Sequence, residues 1–146
     1  MILGIGCDHA GFDLKENIKK TLENDGHEVK DFGCYNTESC DYPDFAHKLA
    51  KAVLDGACER GVLICGTGLG MSYTANRYKG IRAALCTSVE MAEMARAHND
   101  ANVLVMGARI IDDVLATDIL HAWMKTPFDG GRHLRRIRKI DGIEEE

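Results

Sequence analysis

Long apolar runs are missing from this 146-residue chain. The most hydrophobic opening, Met1-Ile2-Leu3-Gly4-Ile5, is too short for a signal peptide or a membrane span, and the sequence predicts a cytoplasmic protein. Zinc-type spacing is missing as well: Cys7, Cys34, Cys40, Cys58, Cys65 and Cys86 include no C-x-x-C pair and no neighbouring histidine pair. Without a secretory signal the even cysteine count does not imply disulfides, and free, mostly inert thiols are expected. A positive excess is absent too; the net charge of −5 argues against nucleic acid or an anionic membrane as the main partner. The local exception is RHLRRIRK at 132–139, with five Arg or Lys residues in eight positions. No repeat and no linker interrupts the chain. Its 45% hydrophobic and 28% charged residues fit one globular domain over 1–146, long enough to bury a core.

What is present is a regular alternation of strand and helix patterns. Ile2–Gly6 reads as a buried parallel strand, followed by a helix with Leu14, Ile18 and Leu22 at spacing four and Gly26 as its stop. His27–Phe32 reads as a more polar edge strand. Pro43 opens a helix with Phe45, Leu49 and Val53 on one face. Val62-Leu63-Ile64 forms a third strand that runs into a glycine loop and a short helix. Arg82–Cys86 is a fourth strand, Ser88 caps a helix through about Ala97, and Asn102–Met106 is a fifth strand. Asp112 or Asp113 starts a helix carrying Leu115, Ile119 and Trp123, and residues 125–146 form a tail with a short basic helix. This pattern predicts an α/β sheet, mainly parallel, with helices on both faces. Sites in such sheets lie beyond the carboxyl ends of the strands, which selects CDHAG (7–11), CGTGLGMS (65–72), CTS (86–88) and GAR (107–109).

In the glycine loop, Gly66-Thr67-Gly68-Leu69-Gly70 can turn backbone amides inward at a helix start and form an anion or oxyanion nest. It lacks the spacing and lysine of a nucleotide-binding P-loop, and its last glycine interval is wrong for a dinucleotide fingerprint. A C-x5-R phosphatase needs arginine where Met71 stands. Cys65, at the mouth of the nest, can serve as a thiolate nucleophile or as a base toward carbon. A cysteine ending a buried strand is also an ordinary small core residue, and both readings stand.

Asp8-His9 follows the first strand and pairs an acid with an imidazole able to bind hydroxyls and move protons. His98-Asn99 ends a helix that runs back from the carboxyl edge. His98 is therefore either a histidine packed with Met91, Met94 and Ala95 or part of a site completed on a second subunit. Arg132 and Arg136, one helical turn apart, suit a phosphate clamp, whereas Arg135 and Lys139 suit a solvated face. The absence of interleaved aromatics speaks against a nucleic-acid patch.

Taken together, GCDHAGFDLK, DYPDFA, GVLICGTGLGMSYTANR, GIRAALC, ARAHNDANVLVMGAR and GGRHLRRI resemble the ribose-5-phosphate isomerase B family, which is grouped with the galactose-6-phosphate isomerase subunits. The resemblance runs along almost the whole chain. It implies a Rossmann-like three-layer α/β sandwich, a homodimer or dimer of dimers, and interconversion of aldose and ketose phosphates without metal or other cofactor. Carried onto matching positions, it makes Cys65 the base between C1 and C2, with Gly66, Gly68 and Gly70 in the loop that stabilises the enediolate. Thr67 would position or protonate the reacting oxygens, Asp8 and His98 would assist ring opening, and Asn99 would hold a sugar oxygen. Tyr42 would border the pocket, and His9, Arg109, Arg132 and Arg136 would hold the phosphate. His98 and Asn99 are implied to come from the neighbouring subunit.

The residues read alone agree: no carboxylate–histidine cluster is legible in the sequence, which favours proton transfer over a metal-assisted hydride shift. Cys7 stands where the family commonly has serine, Tyr73 and Thr74 replace smaller residues, and Arg77 replaces a lysine; these touch packing or pocket shape. Met71 excludes the branch that uses a glutamate in place of the cysteine. Six-carbon substrates such as allose 6-phosphate or galactose 6-phosphate, and a non-catalytic sugar-phosphate-binding module, remain the alternatives.

Overall fold

The computed structural model describes residues 1–142. Five strands, β1 (Ile2–Cys7), β2 (Glu28–Asp31), β3 (Arg60–Cys65), β4 (Ala83–Leu85) and β5 (Val103–Gly107), form one sheet in the order β2-β1-β3-β5-β4. Every pairing is parallel. The helices are α1 (Phe12–Asn24), α2 (Tyr42–Leu54), α3 (Leu69–Ala75), α4 (Val89–Ala97), α5 (Asp113–Lys125) and α6 (Arg132–Ile140).

Side chains alternate along the central strands, so each strand feeds two cores. Leu3, Ile5, Val62, Ile64, Leu104 and Met106 meet α1, α4 and α5 on one face. Leu63, Cys65, Val103 and Val105 meet Leu49 of α2 and Met71 of α3 on the other. The expected three layers follow. In α1, Leu14, Ile18 and Leu22 are the buried stripe, each worth about 1.5–3 kcal/mol of burial. Ser88 and Asp112 cap α4 and α5 by accepting from the N–H groups of Met91 and Leu115, at 3.1 and 2.8 Å.

Two strands are shorter than their apolar patterns suggest. Arg82 leaves β4 because its N–H donates to Asn102 Oδ1 at 2.8 Å and its guanidinium reaches Asp141 at 2.7 Å. β2 is confined to Glu28–Asp31 at the sheet edge, where it pairs with β1 alone. Asp31 ends it by binding a lysine that is wholly buried: Lys15 Nζ donates to Asp31 Oδ2 at 2.7 Å and to the Cys34 carbonyl at 2.9 Å. The expected 125–146 tail resolves into the end of α5, a turn and α6; its last four residues lie outside the described residues. No helix among the described residues is long and apolar enough to cross a membrane.

Candidate active site

β1 continues to β2 on one side of the sheet and β3 leads to β5 and β4 on the other, so the strand order reverses between β1 and β3. The crevice beyond the carboxyl ends of those two strands is where this kind of sheet receives ligands. Cys7 pairs with Ile64 in the ladder, and the Asp8 N–H donates to the Ile64 carbonyl at 3.2 Å. This places Asp8 beside Cys65.

The glycine loop is shaped around Cys65. Gly68 adopts φ +85°, and its N–H donates to Cys65 Sγ at 3.2 Å. Negative charge on sulfur would strengthen that bond. Leu69 N–H donates to Thr67 Oγ1 at 3.2 Å. The first turn of α3 brings further amides without helical acceptors to the same spot. Gly107, opposite Cys65 in β5, leaves room for the loop: a Cβ there would stand 2.5 Å from the Thr67 carbonyl oxygen.

The flanks come from three other segments. Asp8 is buried, and its Oδ1 accepts from the N–H groups of Ala10 and Gly11, both at 3.0 Å. The carboxylate thus also caps the short 3-10 turn His9–Gly11. His9 Nδ1 accepts the Cys40 N–H at 3.2 Å, which leaves Nε2 to donate. Tyr42, at the start of α2, lays its ring against Gly70, where any side chain would collide with it. Arg109 is exposed and passes its guanidinium over Gly66, with Nη1 3.2 Å from where a Cβ would sit.

The fold therefore brings Asp8, His9, Tyr42, Cys65, Gly66, Thr67, Gly68, Gly70 and Arg109 to one crevice. It does not bring His98, Asn99, Arg132 or Arg136 there within one chain. His98 is the C-cap of α4, Asn99 follows it, and Arg82, just before β4, donates to the Asn99 carbonyl at 2.8 Å. These residues belong to the amino edge of the sheet. Met91 and Met94 are exposed and Asn99 is too, so His98, half-buried, is not sealed under a methionine face. A concavity of about 740 Å³ opens on this side, lined by Asn99 together with Arg82, Ile140 and Asp141, and not at Cys65.

Among the cysteines, all free, Cys65 differs in having a loop amide aimed at its sulfur. Burial pushes the Cys58 thiol up and the Cys86 thiol up to about 11; burial and the Cys34 thiol at 3.7 Å push Cys7 up. Raised in this way, these three thiols stay protonated near neutral pH.

One group escaped the sequence reading. His98, Asp129 and His133 stand together, the two imidazoles stacked with centroids 4.3 Å apart. The His133 imidazole is held below its usual value, by lost hydration first and then by His98, Arg132 and Arg136. The Asp129–His133 spacing of four was visible; its union with His98 depends on the Asp129 N–H reaching the Ala97 carbonyl at 2.9 Å, 32 positions away.

Residues 3–140 match the family model described as Ribose/Galactose Isomerase. The chain belongs to the ribose/galactose isomerase family. It is an aldose–ketose isomerase of the ribose-5-phosphate isomerase B type, acting on sugar phosphates. This isomerase is 44% identical over 143 residues to ribose-5-phosphate isomerase B of Escherichia coli, covering 98% of this chain and 96% of that one. It is 42% identical over 145 residues to a D-erythrulose-4-phosphate isomerase of Pectobacterium atrosepticum, covering 99% and 95%. The structure of ribose-5-phosphate isomerase B from Clostridium thermocellum superposes with a TM-score of 0.97 at 53% identity, covering 98% of the isomerase and 97% of that chain.

Proposed function

We propose that this isomerase interconverts D-ribose 5-phosphate and D-ribulose 5-phosphate by proton transfer through an enediolate, with Cys65 as the base. The observation that carries the reading is the Cys65 sulfur at the end of β3, receiving the Gly68 amide at 3.2 Å at the mouth of the nest. The Cys65 thiolate takes the C2 proton of the open-chain aldose. The electron pair forms the C1–C2 double bond, and charge develops on O1 beside the loop amides. The thiol then returns the proton to C1, while the hydroxyl protons of O1 and O2 are exchanged with Thr67 as the positioning partner. Each well-placed oxyanion donor is worth roughly 100- to 1,000-fold in rate.

Ring opening needs an acid at the ring oxygen and a base at the C1 hydroxyl. Asp8 and the neighbouring subunit's copy of His98 fill these roles, with Asn99 holding a sugar oxygen. His9, Arg109, Arg132 and Arg136 grip the phosphate, whose remote binding energy holds C1 and C2 against Cys65. A homodimer or dimer of dimers with shared sites is supported by the position of His98 and Asn99 at the far edge. The exposed Met91 and Met94 of α4, with Leu85 and Asn99, line an apolar flank along β4 that such an interface could cover. The kinship with the ribose-5-phosphate isomerase B of E. coli supports the pentose substrate, and the kinship with an erythrulose-4-phosphate isomerase makes a four-carbon substrate the second reading.

A coupled assay across D-ribose 5-phosphate, erythrulose 4-phosphate, allose 6-phosphate and galactose 6-phosphate tests this. The highest kcat/KM is expected on ribose 5-phosphate; preference for another sugar phosphate overturns the substrate, and no turnover of any overturns the enzyme. Arg136→Ala should chiefly raise KM.

A further inference from the structure

The side chains of His98, Asp129 and His133 offer two imidazole nitrogens and a carboxylate oxygen, all within 4.8 Å of one another. In a tetrahedral zinc site with bonds of about 2.0–2.2 Å, ligand atoms stand roughly 3.3–3.6 Å apart. The two rings, now stacked at 11°, turn out of the stack so that their in-plane nitrogens converge on the ion, while the backbone that carries them stays fixed. The Asp129 N–H is held by the Ala97 carbonyl at 2.9 Å, and the Arg96 guanidinium ties Thr126 to α4 at 3.4 Å. Gly130 and Gly131, at φ +69° and +57°, turn the chain so that the His133 N–H donates to the Gly130 carbonyl at 3.1 Å. Three segments are thereby pinned around one point.

The chemistry of that point suits a borderline cation better than an anion. Two imidazoles and one carboxylate form a donor set of the kind seen in three-ligand zinc sites, which leave a fourth position to solvent. His98 also sits on the carboxyl end of α4, the negative end of its dipole. Asp129 would repel a phosphate. The guanidinium groups of Arg132 and Arg136 on α6 oppose a cation and weaken its binding.

We propose that His98, Asp129 and His133 form a site for a divalent transition-metal ion such as Zn²⁺, and that the ion inhibits isomerisation by occupying the imidazole of His98. The inhibitory half rests on the role given to His98 above; the binding half stands on the geometry alone. Mg²⁺, which demands oxygen ligands and holds its water, is not accepted there.

The test uses the full chain, freed of metal, in competition with a chromophoric chelator. Wild type is expected to take up one Zn²⁺ per chain at micromolar concentration and to lose turnover in proportion, with recovery on adding EDTA; Mg²⁺ should do neither. Disturbing only the support of a metal ligand costs about 10- to 100-fold in affinity. Losing the ligand in Asp129→Asn or His133→Gln should cost at least that, with the Asp129→Asn basal turnover unchanged. Co²⁺ bound at the site should show no sulfur-to-cobalt charge-transfer band. Equal Zn²⁺ uptake by wild type and both variants, or a thiolate band with Co²⁺, would place the ion on cysteines and overturn the site. Zn²⁺ bound at the site without loss of turnover would overturn the inhibition and the catalytic role of His98, leaving Cys65 and the isomerase reading untouched.

Discussion

Replacing Gly68 by alanine tests how the loop serves Cys65. Gly68 has φ +85°, and a Cβ there would lie 2.5 Å from Leu85 Cδ1 and 3.2 Å from the Met106 carbonyl carbon. The left-handed conformation costs an L-residue about 1–2 kcal/mol, and forcing a methyl group into a packed site adds about 1–3 kcal/mol. The Leu85 side chain can yield, but the Met106 backbone is fixed in the sheet, so a total of roughly 2–5 kcal/mol is expected. At about 2–4 °C per kcal/mol for a chain of this size, the melting temperature should fall by roughly 4–20 °C. Gly26→Ala is the matched control: φ is +91° and nothing lies within 4 Å of the new Cβ. It should lose about 1–2 kcal/mol from backbone conformation alone and keep full turnover. Gly68→Ala should also lose up to about 100- to 1,000-fold in kcat, because relief of the clash moves the amide that faces Cys65. Calorimetry and the coupled assay read both effects. Wild-type kcat in Gly68→Ala, with a melting loss no larger than that of Gly26→Ala, would refute the reasoning.

Other perturbations discriminate further. Gly107→Ala drives a Cβ to within 2.5 Å of the Thr67 carbonyl oxygen, backbone against backbone, and should reduce kcat alongside stability; unchanged kinetics would show that the loop tolerates displacement. Asp31→Asn strands the fully buried Lys15 charge with Glu16 at 3.0 Å as its remaining acidic partner, at a cost of about 3 kcal/mol by urea unfolding. Burial alone would raise Asp31, but Lys15, the Gly33 N–H and Lys19 hold it below its ordinary value. Its contribution is thus present above the unfolded value near ~3.9 and lost as pH falls through the folded one, so the variant's stability should vary less with pH below about 4 than wild type's. Mixing inactive Cys65→Ala and His98→Ala proteins under subunit exchange should restore about one quarter of wild-type turnover, since half the dimers then carry one intact shared site. No recovery would place His98 and Cys65 of one chain in the same site.

The parts of the fold legible in the sequence were those with local causes. Ser88 and Asp112 mark helix starts because a short side-chain oxygen meets an amide two or three residues on. The buried stripe of α1 follows from spacing four. The carboxyl-edge crevice was legible because strand ends carry Asp8, Cys65 and Arg109. What sequence periodicity could not show are pairings made across the fold. Lys15 stands in a helix whose other buried side chains are apolar, and its partner Asp31 lies on a neighbouring strand. Likewise, Asp129 joins His98 only because the turn after α5 folds back onto the end of α4.

The most direct test of the central claim is exchange of the substrate's C2 proton in deuterium oxide, followed by NMR on ribose 5-phosphate. Wild type should incorporate deuterium at C2, and Cys65→Ala should bind the sugar phosphate while leaving the C2 proton in place for the length of the experiment. Deuterium appearing at C2 at an undiminished rate in Cys65→Ala would contradict the assignment of Cys65 as the base.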